Sequence, residues 1–390
     1  MEVSFLDQLK SAKKAPKGFW KICLSDMVAF VAILAINILT WIYVGLNGSV
    51  NSIVYYWDGP NYMYAAATLY DIPRNNPWTL GFKYPPSYFA CHLPGYPLVI
   101  RFSALLTFGN YFLASYIAIL ITSILFVYAF RRLLIIYNCV ENPLFSTIIS
   151  IFVPIRFFIY HSVGASEPLF LSFVCFSFIF YKTNSFFFLI LSVWGGCITR
   201  IEGMAIGATI GFCYLLSFNI VRALSMFLTF VAPLFLVIFH QFRFNDAMAY
   251  IHFNKDQQNL IVWKPLHELS EAHSDKLYSY SSIVSFFFCA LGVIVLFEKC
   301  LPVAIFCSIY LVYISLLFHI DVFRYSIPVS VFSFIIGFDV IWNQKYTKLV
   351  FLSVSPLFLI IALAYASGQI HSNRAPDSFM DHVFKSIRSL

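Results

Sequence analysis

The chain has 390 residues, of which 60% are hydrophobic, 19% aromatic and only 11% charged. A soluble domain carries about 25% charged residues, so this composition excludes an ordinary soluble enzyme and indicates a polytopic membrane protein. The formal net charge of +7 does not indicate nucleic acid, because no basic patch with interleaved aromatics occurs. The excess sits in short connectors, where a topology signal belongs.

Residues 1–26 are basic and amphipathic, with Phe5, Leu6, Leu9, Phe19 and Trp20 set among Lys10, Lys13, Lys14, Lys17 and Lys21. Such a segment lies on the cytoplasmic face beside anionic lipid. No cleavable signal pattern is present. Met27–Leu46 reads as an uncleaved signal anchor, long enough for one span. It delivers a long loop, 47–111, to the far side. Pro60, Pro73, Pro77, Pro85, Pro86, Pro94 and Pro97 rule out one continuous helix through Tyr55–Arg101. A segment this irregular cannot face lipid, so it folds at the membrane surface or lines a cavity. Within it, Leu98–Phe108 is too short to cross and reads as a juxtamembrane or re-entrant helix.

Further spans are expected at Phe112–Phe130, Pro143–Tyr160, Pro168–Tyr181, Ser185–Thr199, Met204–Phe218 and Val221–His240. Four more follow at Ile283–Phe297, Leu301–Phe318, Tyr325–Trp342 and Leu349–Ala366. That gives about 11 spans in one all-α membrane domain over 27–367, with the N-terminus inside and the C-terminus outside. A second outer loop covers 241–281, and 368–390 forms an outer tail. Lys and Arg of the tail and short loops then fall inside. Asp58, Asp71, Glu167, Glu202, Asp246, Asp256 and Asp321 fall outside. The nine cysteines form no CxxC pair, and most read as small buried hydrophobes.

The acidic face is where chemistry can gather. Asp58 stands between Trp57 and Gly59, either as the cap of a helix opening at Pro60 or as an isolated base. Glu167 precedes Pro168 at the start of a span and is a cap or a cavity group. Arg200 and Glu202 form a self-neutralising turn or line that same cavity. Arg324 begins a span on the outer side, against the positive-inside bias, so it needs an anion: Asp321 or a phosphate. Lys264 and His267 belong to an ordinary solvated loop or add a second phosphate contact. Arg156, inside a span, is expected to reach a carbonyl or a lipid headgroup. No nucleotide-binding, HExxH or paired Cys/His motif occurs, so no motif calls for a metal or a cofactor. One carboxylate base, scattered cations and a water-poor aromatic pocket suit a membrane-borne substrate with a phosphate leaving group.

Trp57-Asp58 with Tyr62, then His92-Leu93-Pro94-Gly95-Tyr96-Pro97-Leu98 leading to Arg101, resembles the first lumenal loop of the GPI mannosyltransferase II (PIG-V type) family. Ser166-Glu167-Pro168-Leu169-Phe170, Thr199-Arg200 with Gly203, and Phe323-Arg324-Tyr325 with Pro328 are similar to that family too. Asn245-Asp246-Ala247-Met248-Ala249-Tyr250 with Trp263 resembles a loop of its bacterial members. The similarity runs from Tyr55 to Pro328. His92-Leu93 stands where two aromatics usually precede the proline, Tyr70–Tyr88 is longer than usual, and Asn245-Asp246-Ala247 departs from Gly-Asp-Pro.

The resemblance implies a GT-C membrane glycosyltransferase with a long first outer loop. Its donor would be a polyprenyl- or dolichyl-phosphate mannose, its acceptor a lipid-linked, GPI-precursor-like glycan, and its transfer inverting. It implies Asp58 as general base and puts Trp57, Tyr62, His92, Arg101, Glu167, Arg200 and Arg324 on the substrate side, where Lys264 or His267 would add the second phosphate contact. Membrane lipids are the surroundings, nucleic acid is not a partner, and a small membrane subunit can accompany the chain. The site would face the ER lumen in a eukaryote, or outward across the inner or plasma membrane in a bacterium. Alternatives are a different sugar with a protein or envelope-glycan acceptor, a lipid or solute transporter, and a structural membrane subunit. A transporter should show inverted repeats with broken helices, and the sequence has none.

Overall fold

The first apolar run contains no proline, and Asp26 closes a capping box with Cys23, so Leu24–Leu46 (α1) forms one helix of 23 residues. At 1.5 Å per residue it is about 35 Å long, enough to cross a bilayer core. The computed structural model describes residues 9, 15–256, 276–316 and 322–389. Among these the architecture is helical, and the one β feature is an isolated bridge between Tyr56 and Arg374.

After α1 the prolines divide the outer loop into short helices: α2 (Gly59–Thr68), α3 (Pro77–Phe82) and α4 (Gly95–Leu106). α4 is a short apolar helix that leaves Phe102, Leu105 and Leu106 exposed on one face. The chain then returns through α5 (Tyr111–Tyr137). Next come α6 (Pro143–Phe152), α7 (Ile155–Tyr160), α8 (Glu167–Lys182), α9 (Phe186–Thr199), α10 (Met204–Leu216) and α11 (Ile220–Phe244). α12 (Ala249–Asp256) opens the second outer loop. The remainder is α13 (Lys276–Lys299), α14 (Leu301–Ser315), α15 (Val322–Tyr325), α16 (Ile327–Phe332), α17 (Asp339–Asn343), α18 (Lys345–Ser372) and α19 (Asp377–Arg388).

Among the described residues four helices are long and apolar enough to cross a membrane: α1, α5, α11 and α18. Several shorter apolar helices accompany them. Two expected spans are broken. Pro143–Tyr160 divides into α6 and α7 at Pro154, which has no N–H to continue the ladder. Tyr325–Trp342 divides into α15, α16, a π turn over Ser333–Gly337, and α17. At that turn a Cβ on Gly337 would come 2.6 Å from the Gly292 carbonyl oxygen, so backbone packs directly on backbone there.

Ionisable groups sort into two faces. On one, Arg131 and Arg132 of α5 both donate to Asp26, which is 1% exposed, so the start of α1 lies beside the end of α5. Lys299–Asp339 and Lys348–Glu141, each at 3.6 Å, are further ion pairs between helix ends and connectors. The other face carries the outer loop. Residues 1–8 and 10–14 of the expected amphipathic segment lie outside the described residues.

The tail differs from expectation. α18 runs to Ser372 rather than ending at Ala366, and the segment after it turns back onto the outer loop. Trp57 N–H donates to Asn373 O at 3.0 Å and Ala375 N–H to Tyr55 O at 2.8 Å. α19 buries Met380 and Val383 among Tyr64, Trp78 and Phe89.

Candidate active site

Close backbone approaches bring the distant motifs together. A Cβ on Gly59 would stand 2.4 Å from Val54 O, and one on Gly164 would stand 3.1 Å from Gly59 Cα. The start of α2 therefore sits against the turn that leads into Ser166 and Glu167. A Cβ on Gly95 would lie 2.3 Å from Thr199 Oγ1 and 2.7 Å from Thr199 Cα, which seats α4 beside Arg200. Tyr62 on α2 donates to Ser166 Oγ at 3.2 Å.

Asp58 occupies the N-cap position of α2 but makes no side-chain cap bond; its carboxylate points elsewhere. Oδ2 meets Arg324 Nη1 at 2.7 Å, and Oδ1 lies 3.4 Å from His92 Nε2. Arg324 Nε donates to Glu167 Oε1. The same oxygen accepts from Arg200 Nη1 at 2.9 Å, and Arg200 Nη2 reaches Glu202 Oε1 at 3.2 Å. Asp58, Arg324, Glu167, Arg200 and Glu202 thus form one alternating chain of charge. Glu167 is 2% and Arg324 9% exposed, so the network is largely removed from water. The guanidiniums also cover aromatic faces, Arg324 over Tyr160 at 5.2 Å and Arg200 over Tyr325 at 5.5 Å. Burial would raise the Asp58 carboxyl, but the Arg324 charge and the His92 hydrogen bond outweigh it and hold the group well below the usual carboxylate range.

His92 is fixed on several sides. Its carbonyl accepts from the Tyr70 hydroxyl, Asn61 Nδ2 approaches its Nε2 at 3.0 Å, and Tyr62 and Tyr88 present ring edges. Its Nδ1 is buried without a hydrogen-bond partner.

The network opens onto a cavity of about 1130 Å³. One wall comes from α10, α14 and Tyr325, with Met204, Ile309, Tyr310 and Tyr313. The other comes from the outer loop and the tail, with Trp57, Trp78, Tyr84, Arg374 and Phe379.

Of the residues singled out in the sequence, Trp57, Asp58, Tyr62, His92, Arg200 and Arg324 line this cavity, and Glu167 joins Arg200 to Arg324 behind it. Arg101 does not line it. Its Nη1 donates to Ala66 O at 2.8 Å, Ala67 O at 3.2 Å and the Tyr111 hydroxyl at 3.1 Å, closing the end of α2. Carbonyls at a helix C-terminus attract a cation, and that local need explains its place. Lys264, His267 and Asp321 lie outside the described residues. Arg156 Nη1 donates to Gln369 Oε1, the carbonyl oxygen of a side-chain amide, at 2.9 Å. No group of three or more metal-binding side chains occurs among the described residues. No family model and no curated protein matches the chain.

Sequence reasoning missed Asn61, Tyr88, Tyr310 and Arg374. Asn61 was detectable at α-helical spacing from Asp58, one turn along α2. Arg374 carried no signal, because nothing in the sequence folds the tail back.

Proposed function

We propose that the protein is a multi-pass membrane glycosyltransferase of GT-C type. The shorter apolar helices would complete about 11 crossings. It moves a mannose-like sugar from a polyprenyl phosphate to a lipid-linked acceptor. The observation that carries the reading is the Asp58–Arg324–Glu167–Arg200 network at the head of a cavity with one membrane-derived and one loop-derived wall. The similarity of those same residues to the PIG-V type family supports it independently.

In this reading an acceptor hydroxyl attacks the anomeric carbon as the bond from that carbon to the phosphate oxygen breaks. The hydroxyl proton passes to Asp58, and the electron pair leaves with polyprenyl phosphate. Arg324 takes the developing phosphate charge with its Nη1, the edge that otherwise holds Asp58. The swap raises the basicity of Asp58 when the donor arrives, because the neighbouring cation is then shared with a second anion. Glu167 keeps hold of the other edge of Arg324, so the guanidinium pivots rather than leaves.

One observation favours a second role for Arg324. Both of its named edges already meet carboxylates, which suits a clamp that positions Asp58 without touching donor. Reconstitution in nanodiscs with a radiolabelled polyprenyl-phosphate mannose separates the two. Release of polyprenyl phosphate by wild type and its loss in Asp58→Asn support the transferase. Wild-type protein that never consumes any polyprenyl-phosphate sugar overturns it. Weakened donor binding in Arg324→Lys supports phosphate contact, and unchanged binding supports the clamp.

A further inference from the structure

Trp57 holds a backbone conformation that its neighbours must enforce. Its φ is +41°, in the left-handed region, which is unfavourable for a non-glycine residue. The constraint is supplied from the far end of the chain. Asn373 O accepts the Trp57 N–H, Ala375 N–H donates to Tyr55 O, and Tyr56 bridges Arg374. The result is an indole left 47% exposed on the cavity wall, one residue from Asp58. Trp78, by contrast, is 3% exposed and packs in the loop core against Tyr64 and Phe89.

The same cavity is lined by Phe82, Tyr84, Arg374 and Phe379, and the Phe379 ring packs on Phe82 at 5.0 Å. Arg374 contributes hydrogen-bond donors but no net charge, because its Nη2 is neutralised by Asp377 and its Nη1 donates to Ser52 Oγ. A surface of exposed aromatic faces with neutralised donors at its rim fits an uncharged polyol, whose C–H face stacks on rings while its hydroxyls bond at the edge. It does not fit a second phosphate. Resting on the transferase reading above, we infer that the loop-and-tail wall is the acceptor subsite. It takes a neutral hexose ring on Trp57, with the C-terminal segment 373–379 completing the same wall. The donor is left the wall built from α10 and α14.

The test uses full-length protein in nanodiscs and two probes, methyl α-mannopyranoside for the sugar subsite and farnesyl phosphate for the donor side. Saturation transfer from protein aromatic protons to the mannoside is expected in wild type. Trp57→Ala and Phe379→Ala should each weaken mannoside binding by about tenfold or more, as truncation of a contact anchor does. Trp57→Tyr should retain most of it. If Trp57→Ala does not fold, Phe379→Ala still decides the point. Unchanged mannoside affinity in Phe379→Ala, or in Trp57→Ala where it folds, or no transfer to the mannoside in wild type, overturns the subsite. Wild type that binds farnesyl phosphate but not the mannoside leaves the transferase reading and removes this inference. Wild type that binds the mannoside but not farnesyl phosphate, with the loss in Phe379→Ala, supports the sugar subsite and counts against the donor assignment.

Discussion

Asp58 and Arg324, a loop carboxylate and a guanidinium from the head of a broken span, meet at 2.7 Å. The contact explains how an arginine is tolerated at that position. An intramembrane or boundary cation needs an anionic partner, and here the partners are Asp58 and Glu167. It also fixes what Asp58 can do. Paired with Arg324 and turned away from its own helix, it is an ionised carboxylate at the cavity rather than a side-chain cap.

Asp58→Asn keeps the size of the side chain and removes the base. Transfer should fall by about 100-fold or more, in line with the loss of a general base. Single-turnover release of polyprenyl phosphate in nanodiscs measures it, with size-exclusion profile and melting temperature as the check on folding. Near-normal turnover in a folded variant would remove Asp58 from the mechanism.

The pH dependence follows from the direction of the Asp58 shift. Its folded-state carboxyl lies below the unfolded value of about 3.9. The stability it contributes is therefore complete above that value and lost as pH falls through the folded value. The melting-temperature difference between wild type and Asp58→Asn should stay level from about pH 8 to 5 and narrow only below about pH 4. A difference that already shrinks between pH 7 and 5 would mean that Asp58 is not held by Arg324.

Glu167 Oε1 serves both Arg324 and Arg200. Glu167→Gln leaves two buried cations short of charge, and removing one partner of a buried pair costs about 3–5 kcal/mol. Adding Arg200→Gln should recover part of that loss, with a coupling of about 0.5–3 kcal/mol between the two sites. Denaturation of the singles and the double gives the cycle. Strictly additive effects would show that the two side chains do not share the contact.

Much of this site was legible in the sequence, and the limits were physical. Asp58, Glu167, Arg200 and Arg324 stood out because charges are rare in a greasy chain and each flanked an apolar run. Their convergence on one face followed from span parity. Their pairing did not, since Arg324 had a carboxylate three residues away at Asp321 and finds its described partners far off in the chain. Arg101 looked similar by position, yet it caps α2. Lys264 and His267 lie outside the described residues, so their placement beside the donor stays an expectation. The tail was read only as an outer segment because its backbone pairing with Tyr55–Trp57 depends on no side-chain pattern.

Arg101 is predicted to matter for stability and not for substrate affinity. Its three acceptors, Ala66 O, Ala67 O and the Tyr111 hydroxyl, all lie at the end of α2 and the start of α5. Arg101→Ala should cost about 1.5–3 kcal/mol, as hydrogen bonds from a charged group do. Donor and acceptor KM in the protein that survives should be unchanged. A raised KM with unchanged melting temperature would return Arg101 to the substrate side.

Gly95 offers the sharpest test of how the loop is seated on the site. A methyl group there would meet Thr199 Oγ1 at 2.3 Å, Thr199 Cα at 2.7 Å and Thr199 N at 2.9 Å. Two of those three are backbone atoms and cannot swing aside, so α4 must lift from the end of α9. Arg200 is the next residue after Thr199, and its two ion pairs lie in the displaced region. Gly95→Ala is therefore expected to lower the melting temperature and transfer together, at a cost of about 1–3 kcal/mol for overpacking. Gly368 supplies the matched control. It lies inside α18 with nothing within 4 Å of an added Cβ, so Gly368→Ala should be neutral or stabilising by up to about 1 kcal/mol through helix propensity. Parallel melting curves and transfer rates for the two variants decide the matter. If Gly95→Ala behaves like Gly368→Ala, the loop is not seated on Thr199 and the route by which Arg200 reaches Glu167 must be redrawn.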